Sequence, residues 1–520
     1  MNIKKSVVLA LFLASGISSG NLFAQSSPTE KMSMTLYALS RLYVDSLSTG
    51  DIVNQQIKDM MHNLDPFSEY LTPAQARANE NVLLGSQGTQ YVSGFSPSMT
   101  LASFTDAGIE GDFVQGHFLI SFVMSGSDAY QKGIRPGDEI LSVNQTAVSS
   151  LGPQIYSAFR GQPGKQIQLE ISRNKTTKVY SVELKANAKS TVSAAYMLDN
   201  HTGYIALSMF SENTDAEFKS RLSALKAQGM KNLILDLRKN QGGLFDEAVK
   251  IADEFVGGEK LLVFTQGLHS PRKTFKSTPA GAFQSGKLIV LIDDQTKSAA
   301  EILSGALQDN HRGVFVGERS FGKGLIQETL PFKDGSALRI TVARYFTPSG
   351  KCIQKPYSTV FKTYQTGKDS VGTSDDWGII PDVTVSENNM AQTKWAGLLM
   401  YCGAMTKAAR DYTLMNRTAL LAKYPTFKAF EKGFSVDVNS PVMKEMINDA
   451  ESAGVSYSQD DYAKDKLYVN TQLRALVARN LYNDNAFYYH VVNDGSPVYQ
   501  KGAELVQKES LYNSLLKKQK

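Results

Sequence analysis

The chain has 520 residues, 42% of them apolar and 20% charged, with a formal charge of +5 and two cysteines. At roughly 100–200 residues per domain, this length predicts about three to five domains. The composition excludes a mainly disordered or collagen-like chain, the charge is too small to make nucleic acid the main partner, and two cysteines exclude a disulfide scaffold or multi-cysteine zinc module.

The N-terminus reads as an export signal. Lys4 and Lys5 precede an apolar run from Val7 to Ala14, and polar and small residues lead to Leu22-Phe23-Ala24. The run falls short of the ~20 residues that a spanning helix needs. Residues 1–24 are therefore expected to be a cleaved signal peptide, and the mature chain to act outside the cytoplasm without stable membrane insertion. No cysteine follows the apolar run, so a lipoprotein anchor has no support.

Residues 25–85 read as helical. Met32, Leu36, Leu39 and Tyr43 recur at helical spacing, and Ile52, Val53, Ile57, Met60 and Met61 repeat the pattern up to Leu64-Asp65-Pro66, where proline disfavours helix. Residues 86–190 change to short β-type runs: His117–Met124, Glu139–Val143, Ile167–Ser172 and Val179–Leu184. Among them lie a compact turn, Gly133–Asp138, and a short helix signalled by Ile155, Ala158 and Phe159. Residues 191–389 alternate strand and helix. Tyr204–Leu207, Asn232–Leu237, Leu288–Ile292 and Val314–Val316 read as strands. Helical faces follow at Phe218, Leu222 and Leu225, at Ala248, Ala252 and Phe255, and from Ser298 to Asp309. That rhythm predicts a parallel sheet covered by helices. Asp334-Gly335 marks a hairpin between Leu325–Phe332 and Ala337–Phe346. Residues 390–520 return to helices, with a stripe of Trp395, Leu398, Leu399, Cys402 and Met405 and with Ser440-Pro441 and Ser496-Pro497 as helix starts.

Three segments could carry chemistry. In Asp293-Asp294-Gln295-Thr296-Lys297-Ser298-Ala299-Ala300-Glu301 a strand ends and a helix begins. Ser298 is there either an ordinary N-cap or a nucleophile whose neighbouring amides stabilise an oxyanion. In Gly317-Glu318-Arg319-Ser320-Phe321-Gly322-Lys323-Gly324, Lys323 stands between glycines, either as a surface loop lysine or close against backbone. A phosphate-binding loop fails here, because Gly324 occupies the Ser/Thr place and a strand follows. Asp236-Leu237-Arg238-Lys239-Asn240-Gln241-Gly242-Gly243 joins a buried-type strand to a helix. It is either a plain turn or a loop that aims N–H groups at a ligand. Taken singly, each segment is the commoner structural feature.

In order, the three segments resemble the carboxyl-terminal processing peptidases, the tail-specific serine proteases of peptidase family S41. The likeness runs on through Gly305-Ala306-Leu307-Gln308-Asp309, Asp334–Leu338, Ala343–Gly350 and Gly378–Asp382. Upstream, Leu64–Leu71 is similar to the family's N-terminal signature, and Gly126–Ala129 with Gly133–Asp138 is similar to its PDZ domain. The resemblance spans about residues 35–390. It implies a multidomain α/β and α+β fold: a crotonase-like catalytic core over 191–389, an inserted PDZ-like β domain over 86–190, and helical regions over 25–85 and 390–520. It implies Ser298 as nucleophile, Lys323 as its base and Gln327 as the residue assisting the lysine. The Ala299 amide and a glycine amide of Gly242-Gly243 are the expected oxyanion donors. Neither metal nor organic cofactor is expected, and the expected partners are protein or peptide substrates with exposed C-termini in the periplasm.

The residue chemistry agrees. None of the six histidines falls in these segments, and the nearest, His311, sits at a helix end. A lysine serves as base when desolvation lowers its pKa towards neutrality, and Phe321, Leu325 and Ile326 suit a buried amine. The sequence departs from the family at Thr296, Lys297 and Ala300, where the family has small residues or serines, and at Phe67, where it mostly has histidine. Gly88-Thr89-Gln90 and Ala107-Gly108-Ile109 are both candidates for the PDZ carboxylate loop. A catalytically silent PDZ scaffold and an acyl-CoA enzyme are the competing functions. Ser298, Lys323 and Gln327 count against the first, the export signal against the second. The sequence leaves open an adaptor protein, a homo-oligomer and the pairing of Cys352 with Cys402.

Overall fold

A computed structural model describes residues 27–77, 104–187, 190–357, 376–387 and 390–518. The expected signal peptide and the candidate loop Gly88-Thr89-Gln90 lie outside the described residues. The chain divides into two units, one ending at Asn63 and one beginning at Leu64.

The first unit holds helices α1 (Pro28–Leu42) and α2 (Thr49–His62). Ser27 and Glu30 form a reciprocal capping box at the start of α1, with Pro28 in its first turn. Ser48 caps α2 by accepting the Asp51 N–H. At its far end the Asn63 N–H bonds back to Asp59, so α2 closes at His62 before Pro66 is reached.

In the second unit, β1 (Glu69–Leu71) comes first, and β2 (Phe104–Asp106) pairs with β9 (Lys185–Asn187) at the root of a β-rich body. That body is an antiparallel sheet of β3 (Ile109–Val114), β4 (His117–Val123), β5 (Glu139–Val143), β7 (Gln166–Arg173) and β8 (Thr176–Glu183), in that order, with β6 (Thr146–Ala147) on β5. Alternate residues Ile167, Leu169 and Ile171 of β7 face a core that includes Phe118, Ile120 and Ile140.

The main sheet runs β10 (Val192–Met197), β11 (Thr202–Leu207), β12 (Asn232–Asp236), β15 (Leu288–Ile292), β16 (Val314–Gly317), β19 (Val383–Thr384). Every pairing is parallel except β10 with β11. All five residues of β15 are buried, as continuous apolar strands are when both sheet faces are covered. On one face lie α3 (Thr214–Ala227), α4 (Phe245–Phe255) and α5 (Ala299–Asp309), where Leu235 and Val290 meet Phe218, Phe255 and Leu303. The other face is covered by the end of the chain. Ile234, Ile289, Leu291 and Val316 pack on Val498, Tyr499, Leu505 and Val506 of α6 (Pro497–Gln507), and on Tyr512. The preceding C-terminal helices build a core of their own around Trp395, Phe430, Met443 and Leu473.

A second sheet joins β13 (Leu261–Gln266), β14 (Lys273–Lys276), β17 (Leu325–Pro331) and β18 (Ala337–Phe346) to β1. The hairpin expected around Asp334-Gly335 is β17–β18, with a register shift between Ile326 and Gln327. Among the described residues, no helix is long and apolar enough to cross a membrane.

Candidate active site

Strands β12 and β15 are parallel neighbours, so the loops that follow them emerge at the same carboxyl edge of the sheet, the usual ligand-binding edge of open α/β sheets. The two loops are laced together. Asp293 accepts the Lys239 N–H at 2.9 Å, and the Thr296 hydroxyl reaches Leu237 O at 2.9 Å. Buried Asn240 donates to Leu207 O at 2.9 Å and accepts the Gly242 N–H at 2.9 Å, while its own carbonyl accepts the Lys297 N–H at 3.0 Å. Arg238 pairs with Asp236 and bonds Ser496 and Asn493, fastening the first loop to the C-terminal helices.

Ser298 opens α5 with φ 57° and ψ −119°. A non-glycine residue there is strained by about 1–3 kcal/mol, and such strain concentrates at functional sites. Glu301, three residues on and fully buried, accepts four hydrogen bonds. Its Oε2 takes the N–H of Ser298 at 2.9 Å and that of Lys323 at 2.8 Å. Its Oε1 takes the Gly322 N–H at 2.7 Å and the Ser320 hydroxyl at 2.5 Å. One carboxylate oxygen thus bridges the backbones of two residues 25 positions apart in the sequence. Burial pushes the Glu301 carboxyl up to about 7, with the four bonds pulling the other way. The hydroxyl of buried Tyr345 supplies a second bridge, reaching the carbonyl of Ser298 at 3.1 Å and that of Lys323.

Lys323 is only 2% exposed, which sets aside the surface-lysine reading. Its ammonium lies 4.8 Å from the centroid of the Phe67 ring. Burial, then the charges of Lys297 and Arg339, bring its pKa down to about 7, while Glu301 and Glu69 act in the opposite sense. Gln327 follows on β17, and its amide nitrogen donates to Thr341 Oγ1 at 3.1 Å. The Thr341 N–H bonds Ser68 Oγ at 3.0 Å, and Ser68 donates to Asp65 at 2.6 Å. The Leu64–Leu71 segment is thereby built into the wall that orients Gln327, the amide oxygen being the side-chain atom able to accept from an amine.

The two glycines differ. Gly242, at φ 90°, passes so close to the start of α5 that a β-carbon would lie 2.7 Å from Lys297 O and 2.8 Å from the Ser298 Cβ. Its N–H is committed to Asn240, which removes it as an oxyanion donor. The buried Gly243 N–H takes no acceptor among the described residues, and the same holds for Ala299 at the first position of α5. Of the sequence-derived pair, Gly243 is therefore the residue with a donor to offer, and Gly242 supplies the clearance.

His311 stands beyond the end of α5 with φ 53°, a helix-terminating position, as its sequence context implied. Cys352 and Cys402 are free thiols. Among the described residues, one trio with metal-ligand atoms brought within 4.8 Å of one another is Glu431, His490 and Asp494. His490 Nδ1 lies 3.6 Å from a Glu431 carboxylate oxygen, and the Arg474 charge acts on Asp494. Sequence reasoning used Glu301 only as a marker of the helix start and gave Tyr345 and Asn240 no role. The S-x-x-E pattern of a capping box was the available signal for Glu301.

Comparison with known proteins finds three matching family models: peptidase family S41 over residues 201–366, the PDZ domain over 94–172, and a family of unknown function, DUF8443, over 396–483. The carboxy-terminal processing protease CtpA of Bacillus subtilis (strain 168) is 28% identical over 363 residues, covering 66% of this chain and 73% of its own length. A probable CtpA-like serine protease of Staphylococcus aureus (strain COL) is 29% identical over 352 residues, 67% of each chain. Among solved structures, the photosystem II D1 C-terminal processing protease aligns with 27% identity and a TM-score of 0.36, covering 68% of this chain and 92% of its own.

Proposed function

The chain is a serine-type peptidase of family S41 that carries a PDZ domain, and from that premise we propose that it cleaves peptide bonds near the C-termini of protein substrates with a Ser298–Lys323 dyad assisted by Gln327. The observation that carries this reading is the joint one at Glu301 and Lys323: a buried amine with its pKa lowered to about 7, whose backbone shares one carboxylate oxygen with that of Ser298.

Neutral Lys323 takes the Ser298 proton as the hydroxyl oxygen attacks the substrate carbonyl. The N–H groups of Gly243 and Ala299 stabilise the oxyanion, in a loop already rigid through Asn240 and Asp293. The lysine then returns the proton to the departing amine. Water, deprotonated by the Lys323 amine, attacks the acyl-serine, and the lysine returns that proton to the Ser298 oxygen as the ester bond breaks. Gln327 orients the lysine without adding charge.

In this reading residues 191–389 form a crotonase-like core, supported by the run of parallel strands from β11 to β19. The PDZ domain, lying between the N-terminal helices and the core in sequence, feeds or gates the site by taking an extended tail onto its sheet. The signal-peptide pattern read in the sequence, Lys4 and Lys5 before the apolar run from Val7 to Ala14, favours action in the periplasm. The test is to incubate the mature protein and Ser298→Ala with an unfolded protein ending in apolar residues and to map the fragments by mass. Cleavage near the C-terminus by the wild type alone supports the reading, and identical fragments from both proteins overturn it.

A further inference from the structure

Lys297 stands next to Ser298 in the sequence, and its surroundings hold it in place. Its N–H is fixed on Asn240 O at 3.0 Å, and its carbonyl accepts the Ala300 N–H at 3.2 Å. Its ammonium lies 5.2 Å from the centroid of the Phe321 ring. Phe321 is two residues before Lys323 and is itself tied, by its N–H, to Thr296 O at 2.9 Å. The cation–π contact therefore draws the Lys297 charge towards the loop that carries Lys323.

The charged groups acting on Lys323 come from four segments: Lys297 from the loop before α5, Glu301 from α5, Arg339 from β18 and Glu69 from β1. Arg339 is ion-paired with Glu69, so its field is offset by that carboxylate. Glu301 is the carboxylate acting on Lys297, and its two oxygens are engaged by four hydrogen-bond donors. Lys297 is itself partly buried, which lowers its own pKa from 10.5 and leaves its charge poorly screened by solvent.

We propose that Lys297 is a positioning residue of the reaction: a second ammonium, adjacent in sequence to Ser298 and seated against Phe321 of the loop that carries Lys323, it repels a proton from Lys323 and so keeps that amine free to take the proton of Ser298. No bond to substrate is involved, and the effect is exerted wholly through Lys323. After burial, Lys297 is the largest influence lowering the Lys323 pKa, which agrees with this geometry.

The inference rests on the dyad reading, and the experiment separates the two. Rates of cleavage of dye-labelled, unfolded casein are measured from pH 5.5 to 10 for the wild type, Lys297→Met, Lys297→Gln, Lys297→Arg and Ser298→Ala. The wild type should show a rising limb centred near the Lys323 value of about 7. Both neutral variants should move that limb up by about one pH unit, making them about fivefold slower at pH 7 yet equal to the wild type on the alkaline plateau. Lys297→Arg, which keeps the charge, should keep the limb in place. A limb unmoved in the neutral variants, or moved equally in Lys297→Arg, overturns the proposal while an inert Ser298→Ala leaves the dyad intact. Wild-type cleavage by Ser298→Ala overturns both.

Discussion

Replacing Lys323 by methionine should stabilise the protein while destroying its activity, and the gain should depend on pH in a defined way. The folded chain lowers the lysine pKa from 10.5 to about 7, chiefly by burial. At ~1.4 kcal/mol per pKa unit, that fall corresponds to a penalty of ~5 kcal/mol for holding the charged form inside. In the unfolded chain the amine keeps its proton up to about pH 10.5, and in the folded chain it releases it near pH 7. Between those values the unfolded state binds more protons, so wild-type stability rises with pH by ~1.4 kcal/mol per unit. Below pH 7 both states are protonated and the penalty is complete. Above pH 10.5 both are neutral and it is gone. The advantage of Lys323→Met over wild type should therefore be largest below pH 7 and shrink by ~2 kcal/mol between pH 7 and pH 9. Urea unfolding of the two proteins, followed by circular dichroism at pH 6, 7, 8 and 9, measures this difference. A stability difference that stays constant across the series would refute a depressed lysine pKa.

Ser298→Ala should yield no fragments while keeping the wild-type circular dichroism spectrum. Ser298→Gly, equally inert, should be more stable in urea than the alanine variant by about 1 kcal/mol, since glycine adopts the positive φ without strain. Gly242→Ala should lose on the order of 100-fold in kcat, because its new methyl group would meet Lys297 O at 2.7 Å and the Ser298 Cβ at 2.8 Å and displace the nucleophile. Gln327→Ala should lower kcat less than Lys323→Ala does, as it orients the base without carrying the proton, and equal losses would give it a larger part. Removing residues 104–187 should change the rate or the fragment pattern on unfolded casein, and a deletion variant identical to wild type in both would dismiss a role for the PDZ domain.

The strand–helix alternation of residues 191–389 was legible because buried parallel strands are continuously apolar and the intervening helices keep their own period, as in β12, β15 and α5. The β17–β18 hairpin was legible from Asp334-Gly335, whose turn chemistry is local. The family resemblance carried by the three loop segments pointed to Ser298 and Lys323, and to Gln327 four residues beyond the lysine. The bridge at Glu301 was not legible, since its bonds to Gly322 and Lys323 cross 21 and 22 residues and exist only once the β16–β17 connection folds back over the start of α5. Tyr345 is similar, reaching Ser298 O from 47 residues away. Nor could composition choose between Gly242 and Gly243: the choice depends on which N–H is already held by Asn240. The cover of α6 over the far face of the sheet was hidden for a related reason, as an amphipathic helix states that it has an apolar side without naming the strands that meet it.

The central claim is that the Lys323 amine accepts the Ser298 proton, and Lys323→Arg tests it most directly. Guanidinium stays protonated across the usable pH range and cannot act as the base, whereas it would replace a merely ion-paired lysine. With fragments of an unfolded substrate mapped by mass from pH 6 to 10, the wild type should cleave along a limb rising near pH 7 and the arginine variant should be inert throughout. Cleavage by Lys323→Arg at the wild-type rate would contradict the account.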